Sequence, residues 1–67
     1  MNMTKEEFYC LKEGQIIINK RSKIKYHCHK WVEDGIMMVI NLKYINMLDF
    51  VNENTCEDYE VATEDVD

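Results

Sequence analysis

Sixty-seven residues and a mass of 8.1 kDa leave room for one domain. A chain this short buries only about 60% of the surface its unfolded form exposes, which excludes a multidomain enzyme, a barrel of βα units and a dinucleotide-binding fold. Hydrophobic content of 46% beside 31% charged residues reads as folded rather than disordered, and the net charge is −5.

The first element is announced by Thr4-Lys5-Glu6-Glu7, a helix N-cap with a carboxylate three residues on. Met3 and Phe8 take the staple positions on either side, Phe8 and Leu11 give one apolar face, and Gly14 supplies the stop. A short helix is predicted over 4–13. From Gln15 the period becomes two, and Ile16-Ile17-Ile18 predicts a strand. Asn19-Lys20-Arg21-Ser22 reads as a turn. A second strand follows, with Ile24, Tyr26, Cys28 and Val32 on one face and Lys25, His27, His29 and Trp31 on the other. Glu33-Asp34-Gly35 is the best hairpin signal. The third strand has Ile36, Met38, Ile40 and Leu42 on one face and Met37, Val39 and Asn41 on the other.

After Leu42 two readings stand. In the extended one, residues 47–51 form a fourth strand with Leu48 and Phe50 inward, and residues 58–62 a fifth with Tyr59 and Val61 inward. In the helical one, Asn41 caps a helix at 42–53 carrying Leu42, Ile45, Leu48 and Val51 at helical spacing, beside a three-stranded antiparallel sheet. The fold class is α+β, mostly β: one domain over 1–62 and a frayed acidic tail at 63–67.

The order Leu11-Lys12-Glu13-Gly14-Gln15-Ile16-Ile17-Ile18, a basic turn, a long strand, Asp34-Gly35, a strand and Asp58-Tyr59-Glu60-Val61 resembles the small SH3-like β-barrels of the Tudor and KOW kind. The resemblance spans residues 8–62. It implies about five short antiparallel strands and a binding role, and it carries over no functional residue. The sequence departs from that pattern in having no glycine in the 19–22 turn and no aromatic cage of the methyl-lysine-reading kind.

Charge is unevenly distributed. Residues 14–32 hold Lys20, Arg21, Lys23, Lys25 and Lys30 and no acid, whereas residues 33–67 hold ten acids against Lys43 alone. Lys20, Arg21, Lys23, Lys25, His27 and His29 are therefore the candidate contacts to nucleic acid, with Trp31 available to stack on a base. His27 and His29 supply at most two metal ligands, and zinc sites normally take three or four from protein, so no metal and no cofactor is expected. Cys10, Cys28 and Cys56 show no CxxC spacing and read as reduced, buried thiols. On an alternating strand Cys28 points away from both neighbouring histidines, and Ser22 has no evident base, so no catalytic set is legible and the chain is not expected to be an enzyme. No apolar run approaches the ~20 residues of a membrane span. The start of the chain lacks a basic region followed by an apolar one, which points to the cytoplasm.

The sheet pattern also leaves surplus apolar surface. With Ile24, Tyr26, Cys28, Ile36, Met38 and Ile40 inside, Ile17, Trp31, Met37 and Val39 face outward as a partner interface, unless the N-terminal helix covers them through Phe8 and Leu11. Ile, Asn and Lys supply 20 of the 67 residues and Pro none, the skew of AT-rich coding and a pointer to a phage or mobile element of a low-GC bacterium. The expectation is a non-catalytic, homodimeric binding protein that inhibits a host defence or nucleic-acid-processing protein by direct contact. The rivals are a nucleic-acid-binding module using strand 20–31 and a regulatory subunit binding a nucleotide or other small ligand between protomers.

Overall fold

The computed structural model describes residues 3–62; the expected acidic tail at 63–67 lies outside the described residues. In chain order the elements are α1 (Lys5–Tyr9), β1 (Ile16–Asn19), β2 (Lys25–Glu33), β3 (Ile36–Asn41), β4 (Leu48–Asn52), a 3₁₀ turn (Cys56–Asp58) and β5 (Tyr59–Val61). The strands make one open antiparallel sheet in the order β4-β3-β2-β1-β5. β1 to β4 each pair with their neighbours in sequence, whereas β5 crosses back to β1, with Ile17 opposite Val61. The chain is mostly β, with little helix. No helix among the described residues is long and apolar enough to cross a membrane.

α1 is closed by a reciprocal cap. The Glu7 N–H donates to Thr4 Oγ1 at 3.1 Å, and the Thr4 N–H donates to Glu7 Oε1 at 2.9 Å. The element is shorter than the 4–13 span predicted for it. The Lys12 N–H donates to Gln15 Oε1, and the Gln15 N–H donates to the Lys12 carbonyl, so a tight turn replaces a second helical turn. Gly14 sits there at φ +89°, and its N–H donates to the Cys28 carbonyl at 2.7 Å, fixing this segment to β2.

The β1–β2 turn works without glycine. Asn19 Oδ1 accepts from the N–H groups of Arg21 and Ser22, and Ser22 Oγ accepts from Ile24. The left-handed position falls on Lys23, at φ +65°.

The core lies on one side of the sheet. Ile17, Cys28, Met37, Val39, Val51 and Tyr59 line it, and Met3, Phe8, Leu11 and Cys56 close over them. Full burial of side chains such as Ile17, Met37 and Val39 is worth about 1.5–3 kcal/mol each. The Met3 N–H donates to the Tyr59 carbonyl, which ties the N-terminal segment to β5.

This arrangement corrects the face assignment. Ile17, Met37 and Val39, expected on an outward interface, are 0% exposed, covered by the N-terminal segment through Phe8 and Leu11. Ile36, Met38 and Ile40, expected inside, are only half-buried, and Leu48 and Phe50, also expected inside, are exposed. Ile24 is exposed as well. Two bulges in β2 contribute. Cys28 pairs with Val39 and Lys30 with Met38, leaving His29 as an extra residue; Trp31 pairs with Met37 and Glu33 with Ile36, leaving Val32 extra. The first bulge reverses the alternation and brings Trp31 onto the covered side, away from the Lys25 and His27 face. In β3 both faces are apolar, so a period of two cannot say which one is buried.

The helical alternative for 42–53 is also corrected. Buried Asn41 does behave as a cap: its Oδ1 accepts from the N–H groups of Lys43 and Tyr44 at 2.7 and 2.9 Å. It closes a loop rather than a helix. The Met47 N–H donates to the Tyr44 carbonyl, the Asn41 N–H donates to the Met47 carbonyl, and the chain re-enters the sheet at Leu48.

Candidate functional site

Two surfaces stand out. The first is the outer face of the sheet, whose side chains follow from the strand register. One cross-strand row runs Ile16, His27, Ile40, Leu48; the next runs Lys30, Met38, Phe50; a third runs Glu33, Ile36, Asn52. Leu48 and Phe50 are about half exposed, at 49% and 50%. The centre of this face is apolar, while Lys25, His27, Lys30, Glu33, Asn52 and Glu60 are its polar members. Surplus apolar surface does exist on the sheet, carried by Ile36, Met38, Ile40, Leu48 and Phe50 rather than by Ile17, Met37 and Val39.

The second surface is a groove of about 500 Å³ between the β1–β2 turn and the β3–β4 loop. Lys23, Ile24 and Lys25 come from the first segment; Asn41, Leu42, Lys43, Tyr44 and Met47 come from the second. The Leu42 N–H donates to the Lys25 carbonyl at 3.0 Å and holds the two segments together. Lys43 Nζ lies 5.5 Å from the centroid of the Tyr44 ring, a cation–π contact.

The candidate nucleic-acid residues are only partly gathered here. Lys23 and Lys25 line the groove, and Arg21 sits in the adjoining turn. The Lys20 N–H donates to the Asp58 carbonyl, placing its backbone against the end of the 3₁₀ turn. His27 is half-buried between Ile16 and Ile40, and His29 is the bulged, exposed residue. Among the described residues no group of three or more His, Cys, Asp or Glu side chains is placed to hold a metal ion. Sequence reasoning missed Lys43, Tyr44 and Met47. The available signal was a run of apolar and aromatic residues at 42–47 carrying the one lysine of the acidic half.

Trp31 belongs to neither surface. Its ring stacks on Tyr9 at 5.9 Å and 9° and meets Phe8 edge-on at 5.1 Å. Tyr9 Oη donates to Glu53 Oε1 at 3.2 Å, so this aromatic set joins α1 to the segment after β4. A ring held in this way is a structural contact rather than a free base-stacking platform.

The thiols divide into two kinds. Cys10 is exposed, while Cys28 and Cys56 are buried. Burial pushes the Cys28 thiol up to about 11, away from the range of a nucleophile at neutral pH. Cys56 Sγ lies 3.4 Å from the Glu53 carbonyl oxygen and 3.7 Å from that of Met3, and burial raises its thiol as well. Ser22 Oγ is occupied as an acceptor within its own turn.

Comparison of this chain with protein families, with curated proteins and with solved structures finds no match.

Proposed function

We propose that this chain is a non-catalytic binding module with the form of an SH3-like barrel, and that it acts by seating the outer face of β3 and β4 on another protein. The barrel form is supported by the return of β5 to β1, by the long bulged β2 and by the 3₁₀ turn directly before β5. Bulges bend a strand and increase its twist, which is how a short sheet curls. The observation that carries the binding reading is the cluster of Ile36, Met38, Ile40, Leu48 and Phe50 on one face, with Leu48 and Phe50 about half exposed, the other three partly buried, and polar residues on its flanks. Contiguous apolar patches with a polar rim mark interaction sites, and Met and Phe are among the residues that interfaces favour.

The same face serves a two-fold homodimer, because antiparallel copies of one apolar patch cover each other. Small size and the Ile-, Asn- and Lys-rich composition support a phage or mobile-element origin, a host protein as the inhibited partner and the host cytoplasm as the setting.

The test is Phe50→Lys. It puts a charge into the patch on edge strand β4, opposite Met38, and leaves the core untouched. Analytical ultracentrifugation of the wild type is expected to show a dimer at high concentration, which Phe50→Lys dissociates without changing the circular dichroism. A monomeric wild type, together with equal capture of host proteins by wild type and variant, overturns the reading.

A further inference from the structure

We infer that the groove between the β1–β2 turn and the β3–β4 loop is a binding site for single-stranded nucleic acid, with Tyr44 as the stacking surface and Lys23, Lys25 and Lys43 on the phosphates. The groove adjoins the protein-docking face at Lys25, but neither Met38 nor Phe50 lines it.

Charge is the first argument. The chain carries −5 overall, yet every ionised side chain lining the groove is a lysine. Lys23 and Lys25 enter from one segment and Lys43 from the other, and Ile24, Leu42 and Met47 supply the apolar part of the lining. Residues 33–67 hold ten acids and a single lysine, and the fold brings that lysine to the basic turn.

The second argument is the aromatic ring. Tyr44 is 54% exposed, with Lys43 Nζ 5.5 Å from its centroid. Nucleic acid alternates planar bases with anions, and this groove combines one exposed ring with three ammonium groups, that of Lys43 beside the ring. Proteins that bind single strands combine a basic groove with such stacking platforms. A paired base is sandwiched in its own duplex and offers Tyr44 no face, so the ligand is single-stranded.

The third argument is the backbone on which these groups are mounted. Buried Asn41 accepts hydrogen bonds from the N–H groups of Lys43 and Tyr44, which fixes the loop that carries them. A prearranged loop loses less freedom on binding. On the other flank the left-handed position, φ +65°, is held by Lys23. Glycine would occupy it without steric penalty; the chain instead keeps a cation on the groove.

The experiment is fluorescence anisotropy with labelled oligothymidylate of about a dozen nucleotides, within the range that small single-strand binders cover. Binding is expected at low salt, with a log–log salt slope of about −2 for three phosphate contacts at about −0.7 each. Lys23→Gln and Lys43→Gln should each flatten the slope by about 0.7. Tyr44→Ala should weaken binding by about fivefold or more. Phe50→Gln should leave it unchanged. Unaltered thermal melts of these surface variants show that the fold is intact. Any of four results overturns the proposal: no binding at low salt, no effect of Tyr44→Ala, equal affinity for a duplex of the same length, or displacement of the strand by oligoglutamate at equal concentration.

Discussion

Trp31 lies opposite Met37 on the covered side of the sheet because His29 has no partner in the ladder. An unbroken strand would place Trp31 beside Lys25 and His27. The bulge takes it instead onto Tyr9 and Phe8, and the aromatic set so formed fastens α1 across the end of the β2–β3 hairpin. Gly35 in that hairpin sits at φ +81°, and a Cβ there would come within 3.1 Å of Tyr9 Oη. The hairpin and the helix are thus fitted to each other at a spot where only glycine suits both.

The assignment of sheet faces is tested by a pair of substitutions. Met37 is fully buried and Leu48 is half exposed. Met37→Ala is expected to destabilise the fold by about 2–5 kcal/mol through the cavity it leaves. Leu48→Ala is expected to stay within about 0.5 kcal/mol, as an exposed position does. Urea unfolding of both variants measures the difference. Equal losses would mean that the two sides of the sheet are equally covered.

The same pair marks what could be read from the sequence. The strands from Ile16 to Asn41, the Asp34-Gly35 hairpin and the inward Tyr59 rest on local signals: β-branched runs, turn residues and alternation. These signals act over a few residues and survive folding unchanged. The choice between Met37 and Met38 is not local. Both are methionines on a strand with two apolar faces, and the decision comes from the N-terminal segment closing over one of them. The bulges at His29 and Val32 have no compositional mark, since neither residue is a glycine. The groove escaped for a related reason. Lys23 and Tyr44 are far apart in sequence, and only the β2–β3 pairing brings their segments together.

The helix start gives a second test. Thr4 Oγ1 accepts from the Glu7 N–H, and the Glu7 carboxylate accepts from the Thr4 N–H. Thr4→Ala removes one of these bonds and is expected to lower stability by about 0.5–2 kcal/mol. Since α1 has only five residues, the loss should spread to its packing. Tryptophan fluorescence reports on this directly, because Trp31 contacts Phe8 and Tyr9. The variant should show an earlier thermal transition and a Trp31 emission shifted to the red. An unchanged melt would mean that the cap contributes nothing.

The buried thiols set the alkaline limit of the fold. Burial raises Cys28 from 9.0 to about 11, and burial also raises Tyr26 and Tyr59 above their ordinary 10.0. All three groups ionise more readily in the unfolded chain than in the folded one. Below about pH 9 the thiol keeps its proton in both states, and its burial favours folding in full. As the pH climbs from 9 towards 11, the unfolded chain loses the proton first and gains on the folded one. Stability measured by urea unfolding should therefore be flat from pH 7 to about 9 and fall steadily above it. Cys28→Ala starts from a lower value because it leaves a cavity, but its decline over that interval should be shallower, the remainder belonging to the tyrosines and Cys56. Reaction with a disulfide reagent at neutral pH adds a kinetic readout. Exposed Cys10 should react at once, and Cys28 and Cys56 only as the fold opens. Parallel pH profiles for wild type and Cys28→Ala, with all three thiols reacting at one rate, would place Cys28 in contact with solvent and refute this account of the core.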